Sequence, residues 1–374
     1  MIYVDNAATT FPKPEEVYQA LDRANRTLAF NAGRGESEES DIAARTIEEA
    51  RKSIASFLPG IPSNRVVFTF SATDALNRLI LGLDLVEGDT VYVSPFEHNA
   101  IIRPLRRLER EGIKIKVLPF DPFTWQLKEG EMRQQFAIDH PTAVLISHMS
   151  NVTGFELPYE TIFAASKKYG CVNILDAAQS YGAVTPTNIE DCSYVVFAGH
   201  KSLYGSFGVG GFIVIRDMAV ESVIRGGTGS DSLNPEMPET LPGKYESGSP
   251  NVVAIASLVA SARWLRTVNV FEHEQHLSEK FREALSEMVN VQVFYPKNVP
   301  TNGIVSIAID GYSSSEIGMI LRNHGISVRT GYHCAPLIHD FIGSRESEGT
   351  VRFSFGAFNT DEDIESILRI IKEL

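Results

Sequence analysis

The sequence predicts an α/β fold, with a buried and mostly parallel sheet in a large domain and a smaller α+β domain at the carboxyl end. Three observations carry this. Residues 66–70, 90–93, 143–147, 172–175, 194–198 and 211–215 are short apolar runs separated by helical or turn-rich connections, the alternation of a covered parallel sheet. After residue 250 the pattern changes to helical stretches over 252–267 and on through Leu285. Shorter strand candidates at 304–309 and 351–355 follow, with helices at 314–322 and 361–372. With 374 residues, 43% hydrophobic and 22% charged, the chain has an ordinary globular composition and can bury a large core.

Taken in order, the chain opens extended over residues 3–7 and turns at Phe11-Pro12-Lys13-Pro14. Apolar Val17, Leu21, Ala24 and Leu28 then recur at helical spacing over residues 15–29, the mark of a surface helix. Ser71-Ala72-Thr73 closes the 66–70 strand and opens a helix reaching Leu83. Residues 226–250 are hydrophilic and rich in Pro and Gly, so they form a long loop that covers something. The expected division is a large domain over 16–256, with 1–15 and 257–374 making the small one. There are no repeats and no low-complexity segment.

Charge narrows the function classes. Lys and Arg number 34 against 47 Asp and Glu, a net charge of −13 that makes nucleic acid a poor partner. No run of 18 apolar residues is present, and MIYVDNAATT lacks the basic head and apolar stretch of an export signal. No membrane partner and a cytoplasmic location are expected. The three cysteines, Cys171, Cys192 and Cys334, are too few for a disulfide scaffold and fit a reducing compartment.

Several residues then stand out by their chemistry. Lys201 follows directly on the apolar run 194–198, and ligands of open α/β sheets bind beyond such strand ends. Burial there would lower its amine pKa and ready it for a Schiff base, although an exposed loop lysine satisfies the same pattern. Asp176 ends the run before it, where a carboxylate can hold a protonated pyridine nitrogen or simply cap a turn. Ser71-Ala72-Thr73, at a helix start, suits an anion as well as an ordinary cap. Cys334 lies in the polar segment Arg329-Thr330-Gly331-Tyr332-His333-Cys334, where Arg329 and His333 would stabilise a thiolate; a buried inert thiol is the alternative. Arg352 alternates with apolar neighbours and suits a substrate carboxylate or a structural ion pair.

Other patterns carry less. Gly205-Ser206-Phe207-Gly208-Val209-Gly210-Gly211 leads into a strand rather than a helix, which disfavours dinucleotide binding. His273-Glu274-Gln275-His276 reads as solvated surface, and His333, Cys334 and His339 lack the paired ligands of a zinc site, so no metal is expected.

In order along the chain, Asp5-Asn6-Ala7-Ala8-Thr9-Thr10, Ser71-Ala72-Thr73-Asp74, Glu97-His98-Asn99, Ser150-Asn151-Val152-Thr153-Gly154 and Asp176-Ala177-Ala178-Gln179 are followed by Gly199-His200-Lys201, Glu246-Ser247-Gly248-Ser249-Pro250-Asn251 and Arg329 to Ala335. The set resembles the cysteine desulfurase and selenocysteine lyase branch of the class V aminotransferase superfamily, which has the type I fold of pyridoxal-phosphate enzymes. The resemblance implies pyridoxal 5'-phosphate as cofactor, carried as an imine by Lys201, which also shuttles the substrate α-proton. It further implies that Asp176 pairs with the ring nitrogen, His98 stacks on the ring and Gln179 meets its hydroxyl. Ala72, Thr73 and His200 would hold the phosphate, and Ser249 would reach it from a second subunit, which makes a homodimer. Asn151, Arg352 and Arg329 would bind the amino-acid substrate, and the Cys334 thiolate would take its sulfur for a sulfur-acceptor protein, releasing alanine. Selenocysteine cleavage, or aminotransferase or β-lyase chemistry in which Cys334 is incidental, are the alternatives. Asn99, Ala198, Tyr332 and Ser249 depart from the commoner residues, and one extra residue lies within Lys201-Ser202-Leu203-Tyr204-Gly205, which marks a divergent subgroup.

Overall fold

The computed structural model describes the chain apart from residues 33–35, 230–231, 297–298 and 300. Its strands are β1 (Ile2–Tyr3), β2 (Val66–Thr69), β3 (Thr90–Val93), β4 (Lys114–Val117), β5 (Ala143–Ser147), β6 (Val172–Asp176), β7 (Tyr194–Ala198) and β8 (Gly210–Val214), followed by β9 (Val291–Phe294), β10 (Ile304–Ile309), β11 (Ile326–Ser327), β12 (Arg329–Gly331) and β13 (Thr350–Ser354). Seven of them form one sheet in the order β2-β8-β7-β6-β5-β3-β4. From β4 to β7 the neighbours are parallel, and β8 runs antiparallel to both β7 and β2.

Both faces of this sheet are covered, and the sequence shows why. Alternate side chains go to opposite cores: Val66, Phe68, Val144, Ile146, Val195 and Phe197 to one, Val67, Ala143, Leu145, Tyr194 and Val196 to the other. Helices Ala72–Leu81 and Asn99–Glu109 close the second face, while Glu38–Ala55 and Val252–Leu265 close the first. Edge strand β4 departs from the pattern because Lys114 and Lys116 point out to Asp139, and charge on an edge discourages further strand pairing.

A second sheet, β12-β13-β10-β9, is antiparallel and packs with helices Val270–Ser286, Ser314–Asn323 and Asp361–Ile371 around its own core. The amino-terminal residues join it: β1 pairs in parallel with β11, Val4 lies in its core and Asp5 bridges to Ser354.

Helix Val252–Leu265 buries Ile255, Leu258 and Leu265 in the large core. Helix Glu38–Ala55 escapes periodicity because its stripe, Ala43, Ile47, Ala50 and Ile54, is half alanine. Glu274 is not solvated surface: it turns inward to the Tyr204 hydroxyl at 2.9 Å, and burial raises its carboxyl to about 8. His273 likewise bonds the Asn359 carbonyl at 2.9 Å.

The 226–250 stretch contains no helix or strand among its described residues; residues 230 and 231 lie outside them. Its Glu246 is fastened to Arg51 at 2.5 and 2.8 Å and accepts the Phe68 amide at 2.7 Å, which pins the loop onto β2. Gly211 explains the glycine pattern that follows Lys201. A Cβ there would meet the Val67 carbonyl at 2.1 Å and the Phe197 ring at 2.6 Å. Gly211→Ala is therefore expected to destabilise the protein by about 1–3 kcal/mol or more, read from chemical denaturation.

Candidate active site

The carboxyl ends of β3, β5, β6 and β7 face one side of the sheet, where the strand order changes direction, and the side chains that follow them converge there. Ala72, Thr73, His98, Asn151, Asp176, Gln179 and Lys201 line a single pocket, so the structure brings together most of the residues singled out from the sequence.

Asp176, the last residue of β6, is buried and accepts the Ala178 amide at 3.0 Å. Burial raises its carboxyl pKa, against the Ala178 hydrogen bond and the Lys201 charge. Burial brings the Lys201 amine down to about 8, against the pull of Asp176. With a pKa near 8, far below that of a free lysine, a substantial fraction of that amine is neutral and nucleophilic near physiological pH, as imine formation requires.

His98 caps helix Asn99–Glu109: its Nδ1 accepts the Ala100 amide at 3.0 Å, so a neutral ring carries its proton on Nε2. Burial and then the Lys201 ammonium hold it down to about 3. His200 is also held to about 3 by burial, Lys201 and Lys13, and its ring stacks on Phe207 at 4.5 Å. Its buried Nδ1 has no hydrogen-bond partner among the described residues. Ser71 caps the helix that begins at Ala72 by accepting the Asp74 amide, while the Ala72 and Thr73 amides belong to the first turn, which has no intrahelical acceptors. Gln179 donates to the Ala7 carbonyl at 3.0 Å.

Arg352 is fully buried on β13, with Nη2 2.7 Å from Asp5 and Nη1 2.8 Å from the Asn151 carbonyl. Its Nε has no partner among the described residues, so the ion-pair reading of this arginine holds while one donor is unspent. Asn151 Nδ2 donates to the His333 carbonyl at 2.8 Å, and the Asn99 amide donates to the Cys334 carbonyl at 2.7 Å. The cysteine segment is thereby tied to the pocket wall. Arg329 Nη2 lies 3.4 Å from Cys334 Sγ.

His333 does not assist that thiol. Its ring is buried, bonds Thr350 Oγ1 at 2.8 Å, and is kept neutral by burial and Arg352, so it brings no charge to Cys334. Ser249 also lies elsewhere: it is exposed and lines a separate cavity with Thr69, Phe70 and Glu246. Two residues had no assigned role in the sequence. Asp5 is the partner of Arg352. Glu97 is buried behind His98, hydrogen-bonded to Ser94 and Ser147, and burial raises it to about 7. A carboxylate placed just after a buried strand was the signal for Glu97; nothing local marks Asp5.

The family model for class-V aminotransferases matches residues 2–367, and the chain belongs to that family. Its members depend on pyridoxal phosphate. Among relatives, a probable cysteine desulfurase of Aeropyrum pernix is 32% identical, covering 100% of this chain and 94% of that protein, and one of Vibrio cholerae is 30% identical, covering 99% and 93%. The apo structure of a cysteine desulfurase from Thermococcus onnurineus NA1 superposes with a TM-score of 0.91 at 29% identity, covering 100% of this chain and 94% of that one. The residues present fit the cofactor: a buried carboxylate opposite a lysine of lowered pKa, an orphaned imidazole nitrogen, and the start of a helix where a phosphate is favoured.

Two measurements test this electrostatic picture. With the Lys201 amine near 8 rather than 10.5, the rate at which cofactor-free protein takes up pyridoxal phosphate should rise through a midpoint near pH 8. Stopped-flow absorbance in the visible band reads it, and a rate still climbing at pH 10 refutes it. For Glu97, a folded pKa of about 7 above the ordinary 4.5 means the folded state holds the extra proton between those values, so its contribution to stability is lost as pH rises through 7. Glu97→Gln cannot titrate. Its melting temperature relative to the parent should therefore increase from pH 5 to pH 8.

Proposed function

We propose that this protein is a pyridoxal-phosphate-dependent cysteine desulfurase, which converts L-cysteine to L-alanine and retains the sulfur as a persulfide on Cys334. The observation that carries the reading is the placement of Cys334: Arg329 Nη2 lies 3.4 Å from its sulfur, and its loop is tied to the pocket through Asn99 and Asn151. An incidental cysteine has no need of that position.

When bound, the cofactor supplies an electron sink for the bond pair released at the substrate α-carbon. Asp176 holds the ring nitrogen and neutral His98 covers the ring. Ala72, Thr73 and His200 hold the phosphate, and Gln179 reaches the ring hydroxyl. Arg352 Nε, Asn151 and Arg329 orient the substrate carboxylate. Lys201, once displaced by the substrate amine, takes the α-proton at its neutral nitrogen. The Cys334 thiolate, with Arg329 beside it, then forms a bond to the substrate sulfur as the Cβ–S bond breaks. The electron pair stays with the three-carbon remainder, which is protonated and leaves as alanine.

A second copy of the chain would complete the site with Ser249. Support comes from Phe70 and Phe207, 56% and 61% exposed although Phe70 lines the Ser249 cavity and Phe207 stacks on His200. On this reading residues 1–15 act with the carboxyl-terminal unit, which carries the cysteine loop. The persulfide passes to an acceptor protein in the cytoplasm. No helix among the described residues is long and apolar enough to cross a membrane.

Cys334→Ser should keep the visible absorption of bound cofactor and lose alanine and sulfide formation from cysteine by roughly 100-fold or more. A variant that desulfurates cysteine as fast as the parent would exclude the persulfide role.

A further inference from the structure

Lys13 is a half-buried lysine to which the reaction assigns nothing. Its Nζ donates to Thr10 Oγ1 at 2.6 Å and to the His200 carbonyl at 2.9 Å, and among the described residues no carboxylate pairs with it. Burial brings its amine down to about 7. The same His200 carbonyl also receives Thr9 Oγ1 at 3.0 Å and the Thr10 amide at 3.1 Å, with Thr10 Oγ1 at 3.3 Å. A carbonyl oxygen has two lone pairs, so this one is crowded with donors, and all of these come from residues 9–13. The peptide they grip joins His200 to Lys201.

The other end of that segment is anchored just as firmly. β1 pairs with β11, the strand that runs into Arg329 and the cysteine loop, and Asp5 pairs with Arg352. Midway, the Ala7 carbonyl accepts Gln179 and the Tyr3 hydroxyl donates to the Thr9 carbonyl at 2.8 Å. Residues 2–13 thus span from the strand that leads to Cys334 to the peptide that precedes Lys201.

We propose that Lys13 is a positioning residue for Lys201: by donating to the His200 carbonyl it fixes the lysine peptide against the amino-terminal segment, which in turn fixes the spacing between Lys201 and the cysteine loop. It touches neither substrate nor cofactor. The proposal rests on the reading that Lys201 carries the cofactor, and it goes beyond that reading in naming what sets the lysine's place. A side chain that served only general stability would change the melting temperature and leave the orientation of the bound ring unchanged.

The test compares Lys13→Met, Lys13→Arg and Thr9→Val in the cofactor-loaded protein at 25 °C. Visible circular dichroism per bound cofactor reports how rigidly the ring is held to Lys201. Lys13→Met should lose about half or more of this signal and lower kcat about ten- to a hundredfold, with KM for cysteine within about twofold. Lys13→Arg, which keeps a donor, should recover most of both, and Thr9→Val should lie between Lys13→Met and the parent. Parental dichroism in Lys13→Met overturns the proposal. So does a Lys13→Arg no better than Lys13→Met, since the lysine stem rather than its donated hydrogen bond would then be what counts. Should Lys13→Met not fold, parental dichroism in Thr9→Val overturns it equally. The dichroism needs only bound cofactor, so it decides the matter even if the parent leaves cysteine untouched.

Discussion

The site depends on one opposed pair, a lysine amine and an aspartate carboxylate that are both withdrawn from water. Burial pushes the two pKa values toward each other, and the charge of each partner resists that push on the other. The arrangement follows from strand order: β6 and β7 are parallel neighbours, so Asp176 and the residues after Ala198 leave the sheet along the same edge. The ammonium also acts on both nearby imidazoles, and His98 and His200 stay neutral beside it. Burial is the larger cause for both rings, and the Lys201 charge adds to it in the same direction.

The thiol comes from a different piece of architecture. Cys334 follows β12 of the small sheet and reaches the pocket by contacts from the large one, the Asn99 amide and the Asn151 side chain. The Asn99 contact is made by backbone, so it does not depend on which side chain stands at that position. His333 and Cys334 both adopt left-handed backbone, with φ of 47° and 57°, which non-glycine residues take only when surrounding contacts hold them there. Arg329 then lies beside the sulfur while the His333 ring turns away to Thr350.

Much of this was legible in the sequence, for physical reasons. Strands covered on both faces must be apolar throughout, so β3, β5 and β7 could be read with their ends in place, and Asp176 and Lys201 stood out as polar residues beyond them. What was missed lacks a local signature. The alanine-rich stripe of helix Glu38–Ala55 carries little hydropathy contrast, and the antiparallel direction of β8 is a matter of pairing rather than composition. Glu274 looked solvated because its helix is acidic, yet its partner Tyr204 lies 70 residues earlier. The Asp5–Arg352 ion pair joins residues 347 positions apart, and no window along the chain could contain both.

The pairing of β1 with β11 also orders events in time. A chain emerging amino end first presents Ile2 and Tyr3 long before Ile326 and Ser327 exist, so its opening residues must wait, unpaired, while more than three hundred others are added. The large sheet can form in that interval, because its strands end at Val214. A translation product cut short before Ile326 would then own Lys201 and Asp176 but neither Cys334 nor the strand that its first residues wait to join.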